Sequence, residues 1–194
     1  MSRYYYAVST LSMLSIDSPP QDIESFLEFL KGRCSGSDYD LLLSAFLVPH
    51  PEKRSKNSVL REWQDWEAAL RNSLTLARAP VLDADPAEHL RGMEPPGGSR
   101  TELYEVEPAV QESMSGNNPK AVEESLDRKR WGKLDELENG HFFDIEKLII
   151  YYLKLQLLER KNKFTRDRGK ENFNEIYQAI TESIEDFPNR NVIE

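Results

Sequence analysis

The sequence predicts a mainly α protein, a multi-helix bundle with a short N-terminal strand or extended segment, and three observations carry that prediction. In NSVLREWQDWEAALRNSLTLAR, from Asn57 to Arg78, the residues Val59, Trp63, Trp66, Leu70, Leu74 and Ala77 follow at spacings of 4, 3, 4, 4 and 3, one continuous helical stripe. Segments with the same period recur along the chain with their own start and stop residues. A content of 39% hydrophobic and 30% charged residues suits helices with one apolar stripe and a broad solvated face. At 194 residues the chain makes one compact domain or two helical lobes, and is long enough to bury a core.

The elements follow in order. Tyr4 to Val8 is rich in β-formers and predicts the short strand or extended segment. Ser18, Pro19 and Gln21 form a capping box with proline at the first helical position, opening a helix to about Lys31 that Gly32 stops, with Phe26, Leu27 and Leu30 on its apolar side. Ser37 or Asp38 caps a second, short helix through Phe46, ahead of Pro49 and Pro51. The linker PHPEKRSKN leads into the Trp-bearing helix, which is expected to stop before Pro80.

Residues 83–118 read as an irregular connector with Pro86, Pro95, Pro96, Pro108 and a Gly-Gly pair, holding only short helical pieces at Pro86 to Leu90 and Pro108 to Met114. Asn118 and Pro119 restart regular structure in a helix to Gly140, with Val122, Leu126, Leu134 and Leu137 inward; Gly132 weakens it by about 1 kcal/mol relative to alanine. The most apolar helix follows, Asp144 to about Lys163, with Ile145, Leu148, Ile149, Tyr152, Leu155 and Leu158 giving it a wide buried face and a central place. A last helix spans about Asp167 to Asp186. The organisation is thus an N-terminal helical part, 1–82, the connector, 83–118, and a C-terminal helical part, 119–194, all of which one compact domain could hold.

Composition excludes several classes. A net charge of -9 argues against a general nucleic-acid binder. The charge is uneven: Lys154 to Lys170 holds seven basic and two acidic residues, an excess of +5 that leaves -14 for the rest. That tract is either a solvated helix end or a surface for an acidic partner. One cysteine, Cys34, excludes an internal disulfide and a cysteine-rich zinc site, and fits a reducing cytoplasm. The longest apolar run, Leu148 to Leu153, falls far short of the ~20 residues that span a bilayer. The N-terminus has three tyrosines in its apolar stretch and no small-residue cleavage pattern, so it reads as part of the fold and not as a signal peptide.

No constellation points to catalysis, a cofactor or a metal. His50, His89 and His141 lie in separate segments without i, i+4 spacing, so a site built from them needs tertiary convergence. Asp83 and Asp85 read as a turn and an N-cap before Pro86. Glu102, Glu105 and Glu107, and the pair Glu123 and Glu124, read as solvated faces. The EPPGGS segment lacks the Lys-Ser/Thr of a P-loop, no serine sits in a nucleophile elbow, and Cys34 has no placed histidine. Trp131, flanked by Arg128, Lys129 and Arg130, is either an interface anchor or an indole closing the core beneath a charged rim. Phe142 and Phe143 read as a hydrophobic staple, and Trp63 and Trp66 as core.

The blocks RYYYAVSTLSML, VLREWQDWEAALRNSL and RKRWGKLDELENGHFFDIEKLIIYYLKLQLLERKNKF resemble an uncharacterised bacterial family, a domain of unknown function encoded within V/A-type ATPase operons. The family's marks are a Tyr-rich start, a LREW-type helix with a later LRN, and a Trp-containing helix before an FD…YLLKLQ…R segment. These motifs are structural, and no catalytic residue is carried over. The resemblance implies a non-catalytic accessory or stalk-type subunit, or an assembly factor, of a V/A-type rotary ATPase. Such a protein works in the cytoplasm, or peripherally at the inner face of the membrane, without a span of its own. A role like that of the socket subunit that seats the central shaft on the membrane ring is compatible by analogy of class alone.

Candidate contacts with ATPase subunits are Arg130, Trp131, Arg160, Lys161, Lys163, Arg166 and Arg168. Two other classes stay open. One is a helical interaction or self-associating scaffold module unrelated to the ATPase, forming a homo-oligomer through the Trp stripe. The other is an enzyme with a convergent acidic site, which needs clustered carboxylates in a cleft.

Overall fold

Side-chain caps set where most helices of this chain begin. The computed structural model describes residues 4–50, 53–90, 100–116, 118–163 and Tyr177, and its helices are α1 Tyr5–Ser9, α2 Ile23–Lys31, α3 Gly36–Leu43, α4 Ser58–Leu82, α5 Arg100–Ser115, α6 Pro119–Leu137 and α7 Ile145–Lys163, with a 3-10 turn at Pro86–Glu88. The protein is mainly helical, and the described residues contain no strand.

The expected N-terminal strand is therefore corrected to α1. A strand needs a neighbour to take its backbone groups, and the described residues offer none. A helical turn satisfies them locally, with the Val8 N–H donating to the Tyr4 carbonyl at 2.9 Å. It turns Tyr4 and Ala7 into the core and leaves Tyr5 and Tyr6 exposed.

Helix α2 starts four residues later than the capping box suggests. Ser18 accepts from the Ser15 N–H at 2.9 Å and Gln21 bonds Ser12, so Asp22 becomes the cap, accepting from the Glu24 N–H at 3.0 Å. Hydrogen bonds from the Ser25 side chain and backbone, with that of Glu24, hold the Asp22 carboxyl below the usual carboxylate range. Ser35, not Ser37 or Asp38, caps α3 through the Asp38 N–H.

Asn57 caps α4 by accepting from the Leu60 N–H at 3.0 Å, while its amide donates to Glu146 at 2.9 Å and ties the start of α4 to the start of α7. The stripe is buried as its spacing predicts at Val59, Trp63, Trp66, Leu70 and Leu74. The Trp63 indole donates to the Phe46 carbonyl at 3.3 Å, and the two indole rings lie 5.8 Å apart. Pro80 does not stop α4. The helix loses one ladder bond there, continues to Leu82, and ends where Asp83 takes a left-handed conformation (φ 50°, ψ 43°) with its N–H on the Ala79 carbonyl.

Regular structure is also longer than expected in the connector: α5 covers Arg100–Ser115, packs along α4 and buries Val106, Ala109 and Val110. A β-carbon at Gly116 would overlap the Val122 methyl, so the turn between α5 and α6 needs the glycine. Asn118 caps α6 through the Lys120 N–H at 3.1 Å, Pro119 occupies its first turn, and Gly132 does not break it. Helix α7 is buried on every side from Leu148 to Leu158 except at Gln156, the signature of a central helix. Phe26 stacks its ring 5.3 Å from that of Tyr151 and 6.1 Å from that of Tyr152. Contacts divide the chain into one unit of Met1–Glu159 and another of Arg160–Glu194. The last helix expected, about Asp167 to Asp186, lies outside the described residues apart from Tyr177.

Among the described residues, charged groups are buried only in pairs. Glu67 on α4, fully buried, takes Arg130 of α6 in a two-point contact at 2.9 and 3.1 Å and Arg71 at 2.6 Å, while Arg130 also reaches Asp127 at 3.0 Å. Burial opposes the Arg130 charge, but the Glu67 and Asp127 carboxylates hold its pKa above the ordinary value. Lys133 of α6 meets Glu62, Glu105 and Glu136 at 3.2, 3.2 and 3.3 Å, joining α4, α5 and α6. Lys154 of α7 pairs with Asp135 at 2.7 Å and with Glu138, its ammonium 5.3 Å from the Trp131 ring.

Two outcomes are expected. Glu67→Ala leaves Arg130 in the core with Asp127 as its one remaining carboxylate and lowers stability by about 3 kcal/mol, read from urea denaturation. The second concerns alkaline pH. Burial lowers and the three carboxylates raise the Lys133 pKa, for a net rise; burial, helped by Glu159 and Tyr39, raises that of Tyr152. At these two groups the unfolded chain releases protons above about pH 10 that the folded chain keeps, and together they outweigh Lys147, whose pKa burial and the Lys154 charge lower. The urea midpoint therefore falls as pH climbs past 10, and Lys133→Met with Tyr152→Phe flattens that fall.

Candidate interaction surface

The residues that the sequence offers for partner binding separate into three groups. Arg130 and Trp131 are buried, 3% and 8% exposed. The first is spent on Glu67 and Asp127, and the second lies under Lys154, so both serve the fold from inside. Arg160, Lys161 and Lys163 are half-buried or exposed in the last turn of α7. Arg166 and Arg168 lie outside the described residues.

The histidines remain apart. His50 and His89 are exposed, and His141 accepts or donates at 2.7 Å to Asp144. His141, Asp144 and Glu146 bring ligand-type atoms within 4.8 Å of one another, and spacing between histidines alone could not signal that trio. Its lone pairs have other work. Asp144 accepts from the Lys147 N–H at 3.0 Å, capping α7, and Glu146 accepts from Asn57. The positive end of the α7 dipole also opposes a cation there. The trio is a helix joint between α4 and α7. Asp85 caps the 3-10 turn through the Ala87 N–H at 2.9 Å, in keeping with the turn reading of Asp83 and Asp85.

An open cleft that sequence reasoning did not single out lies between the end of α3, the residues that follow it, and the first turns of α4. It has a volume of about 420 Å³, with Leu43, Ser44 and Phe46 on one side and Lys53, Arg54 and Ser55 on the other. A depression of about 360 Å³ lined by Arg54, Ser55, Lys56 and Arg61 adjoins it. Two glutamines brace the walls with the bonding pattern of a β-strand neighbour. Gln156 accepts from the Leu47 N–H at 2.9 Å and donates to the Ala45 carbonyl at 2.8 Å. Gln64 accepts from the Ser55 N–H at 2.8 Å and donates to the Lys53 carbonyl at 3.1 Å. The signal in the sequence was the basic linker KRSK, read there only as a connection.

The described residues thus define a helical protein whose buried charges are structural and whose open surface carries unpaired basic groups beside apolar ones. None of its helices, among those residues, is long and apolar enough to cross a membrane. The family model described as protein of unknown function (DUF2764) matches residues 37–184, and the chain belongs to that family. No curated protein and no solved structure matches it.

The bracing gives a direct outcome: Gln64→Ala frees the linker, so amide exchange at Ser55 speeds up in hydrogen-exchange measurements, while stability falls by only about 1 kcal/mol.

Proposed function

We propose that the chain is a non-catalytic accessory or stalk-type subunit, or an assembly factor, of a bacterial V/A-type rotary ATPase, acting through protein–protein contacts from the cytoplasmic side. The observation that carries a non-catalytic reading is how the buried polar groups are used. Among the described residues no buried side-chain nitrogen or oxygen lacks a partner, and Glu67, Asp127, Arg130, Lys133 and Lys154 all pair between or within helices. Such groups set a rigid body and leave none waiting for a substrate. The ATPase itself enters through the resemblance of the Tyr-rich start, the LREW helix and the Trp-to-LKLQ block, which are spread along the chain from residue 3 to residue 164. The basic residues Arg160, Lys161 and Lys163, with Arg166 and Arg168, are the contacts proposed for an acidic face of the complex.

Affinity purification of the tagged chain from its native cells under mild detergent tests this. Stoichiometric catalytic, stalk and ring subunits are expected for a subunit, and capture of immature complexes alone for an assembly factor. Absence of every ATPase subunit rejects the reading. Charge reversal at Arg160, Lys161 and Lys163 is expected to weaken capture about tenfold or more, and undiminished capture removes that tract from the interface.

A further inference from the structure

We infer that the cleft at the start of α4 is a docking site for an acidic segment of a partner protein that carries an aromatic or aliphatic anchor residue. The inference goes beyond the ATPase reading and does not depend on it.

Charge is the leading argument. The chain carries -9 overall, and its interior cations are matched by carboxylates, three for Lys133 and two for Lys154. Around the cleft the balance reverses. Lys53 and Arg54 line the cleft and Arg54, Lys56 and Arg61 line the depression beside it, against Asp40 on the cleft lining and Asp65, which pairs with Arg54. Lys53, Lys56 and Arg61 form no ion pair with any described residue. Unmatched cations on a concave wall focus a positive potential and draw in negative charge.

Apolar exposure coincides with that charge. Phe46 is 52% and Leu43 38% exposed, and both line the same cleft. An aromatic ring beside arginine is a composition enriched at protein interfaces, where an anchor residue is desolvated and charges around it fix the register. The site is also largely built in advance. The Gln156 and Gln64 braces and the Trp63 bond to the Phe46 carbonyl hold the backbone of both walls, so less order must be imposed on binding. A nucleic acid suits the cleft less well, because it has no use for the exposed Leu43 side chain.

The test uses the full chain and a panel of short fluorescein-labelled peptides of Glu and Asp carrying one Phe and one Leu at varied spacing. Peptides with Gln for each acid, peptides with Ser for Phe and Leu, and an oligothymidylate of equal charge serve as comparisons. Fluorescence anisotropy is expected to show binding of acidic, anchor-bearing peptides that weakens steeply with salt. The triple variant Lys53→Glu, Lys56→Glu, Arg61→Glu is expected to lose about tenfold or more in affinity, and Phe46→Ser several-fold, at an unchanged thermal midpoint. The proposal is overturned if no panel peptide binds, if the oligothymidylate or the Gln peptides bind as well, or if the triple variant binds undiminished. Sedimentation of the chain alone adds one further arm: self-association abolished by the same triple variant would assign the face to a second copy and overturn the acidic-partner assignment.

Discussion

The contact between Glu67 and Arg130 is the constraint around which the first unit is arranged. It brings residues 63 positions apart into a two-point ion pair, and with Arg71 and Asp127 it makes a cluster of two carboxylates and two guanidinium groups that is neutral as a whole. Neutrality matters because each charge would be costly to desolvate alone. Buried ion pairs in general add little net stability over apolar packing, but this one tolerates little sliding: a shift of one residue between α4 and α6 would leave a buried charge unmatched. Once α6 is placed, Trp131 is set beneath Lys154 and Leu134 is fully buried, and the central helix α7 is fixed from that side.

Side-chain amides solve a second problem, that of packing irregular backbone on helices. The stretch after α3 and the linker before α4 carry N–H and C=O groups with no helical partner. Gln156 and Gln64 each satisfy one donor and one acceptor two residues apart, as a neighbouring strand would, and Asn57 joins a helix cap to a contact with α7. Extended segments are thereby ordered without a sheet, and the walls of the basic cleft are held in place.

These two devices divide the chain's chemistry. Inside, charge is consumed by pairing, and the aromatic residues Trp63, Trp66, Tyr151 and Tyr152 fill the core. Outside, the linker cations Lys53, Lys56 and Arg61, which form no ion pair with any described residue, gather at the cleft and the depression beside it.

Much of this was legible in the residues. The α4 stripe, the Asn118–Pro119 start of α6 and the saturation of α7 with apolar side chains follow from helical period and cap chemistry, which act within a few residues. Other features depend on groups distant in the chain. The expected strand at Tyr4 to Val8 gave way to the helix Tyr5–Ser9, with no strand among the described residues to pair with it, Asp22 displaced Ser18 as a cap because Ser15 had already engaged that hydroxyl, and α5 lengthened where it could lie along α4. Arg130 and Trp131, which in sequence look like a basic surface anchor, turn inward because Glu67 and Lys154 are there to meet them. The sequence by itself determined that the chain is helical and which faces of its main helices are apolar, since those properties are periodic and local. Only the tertiary structure decided which charges are spent inside and which are left on the cleft, because a charge's fate depends on the partner that folding brings to it.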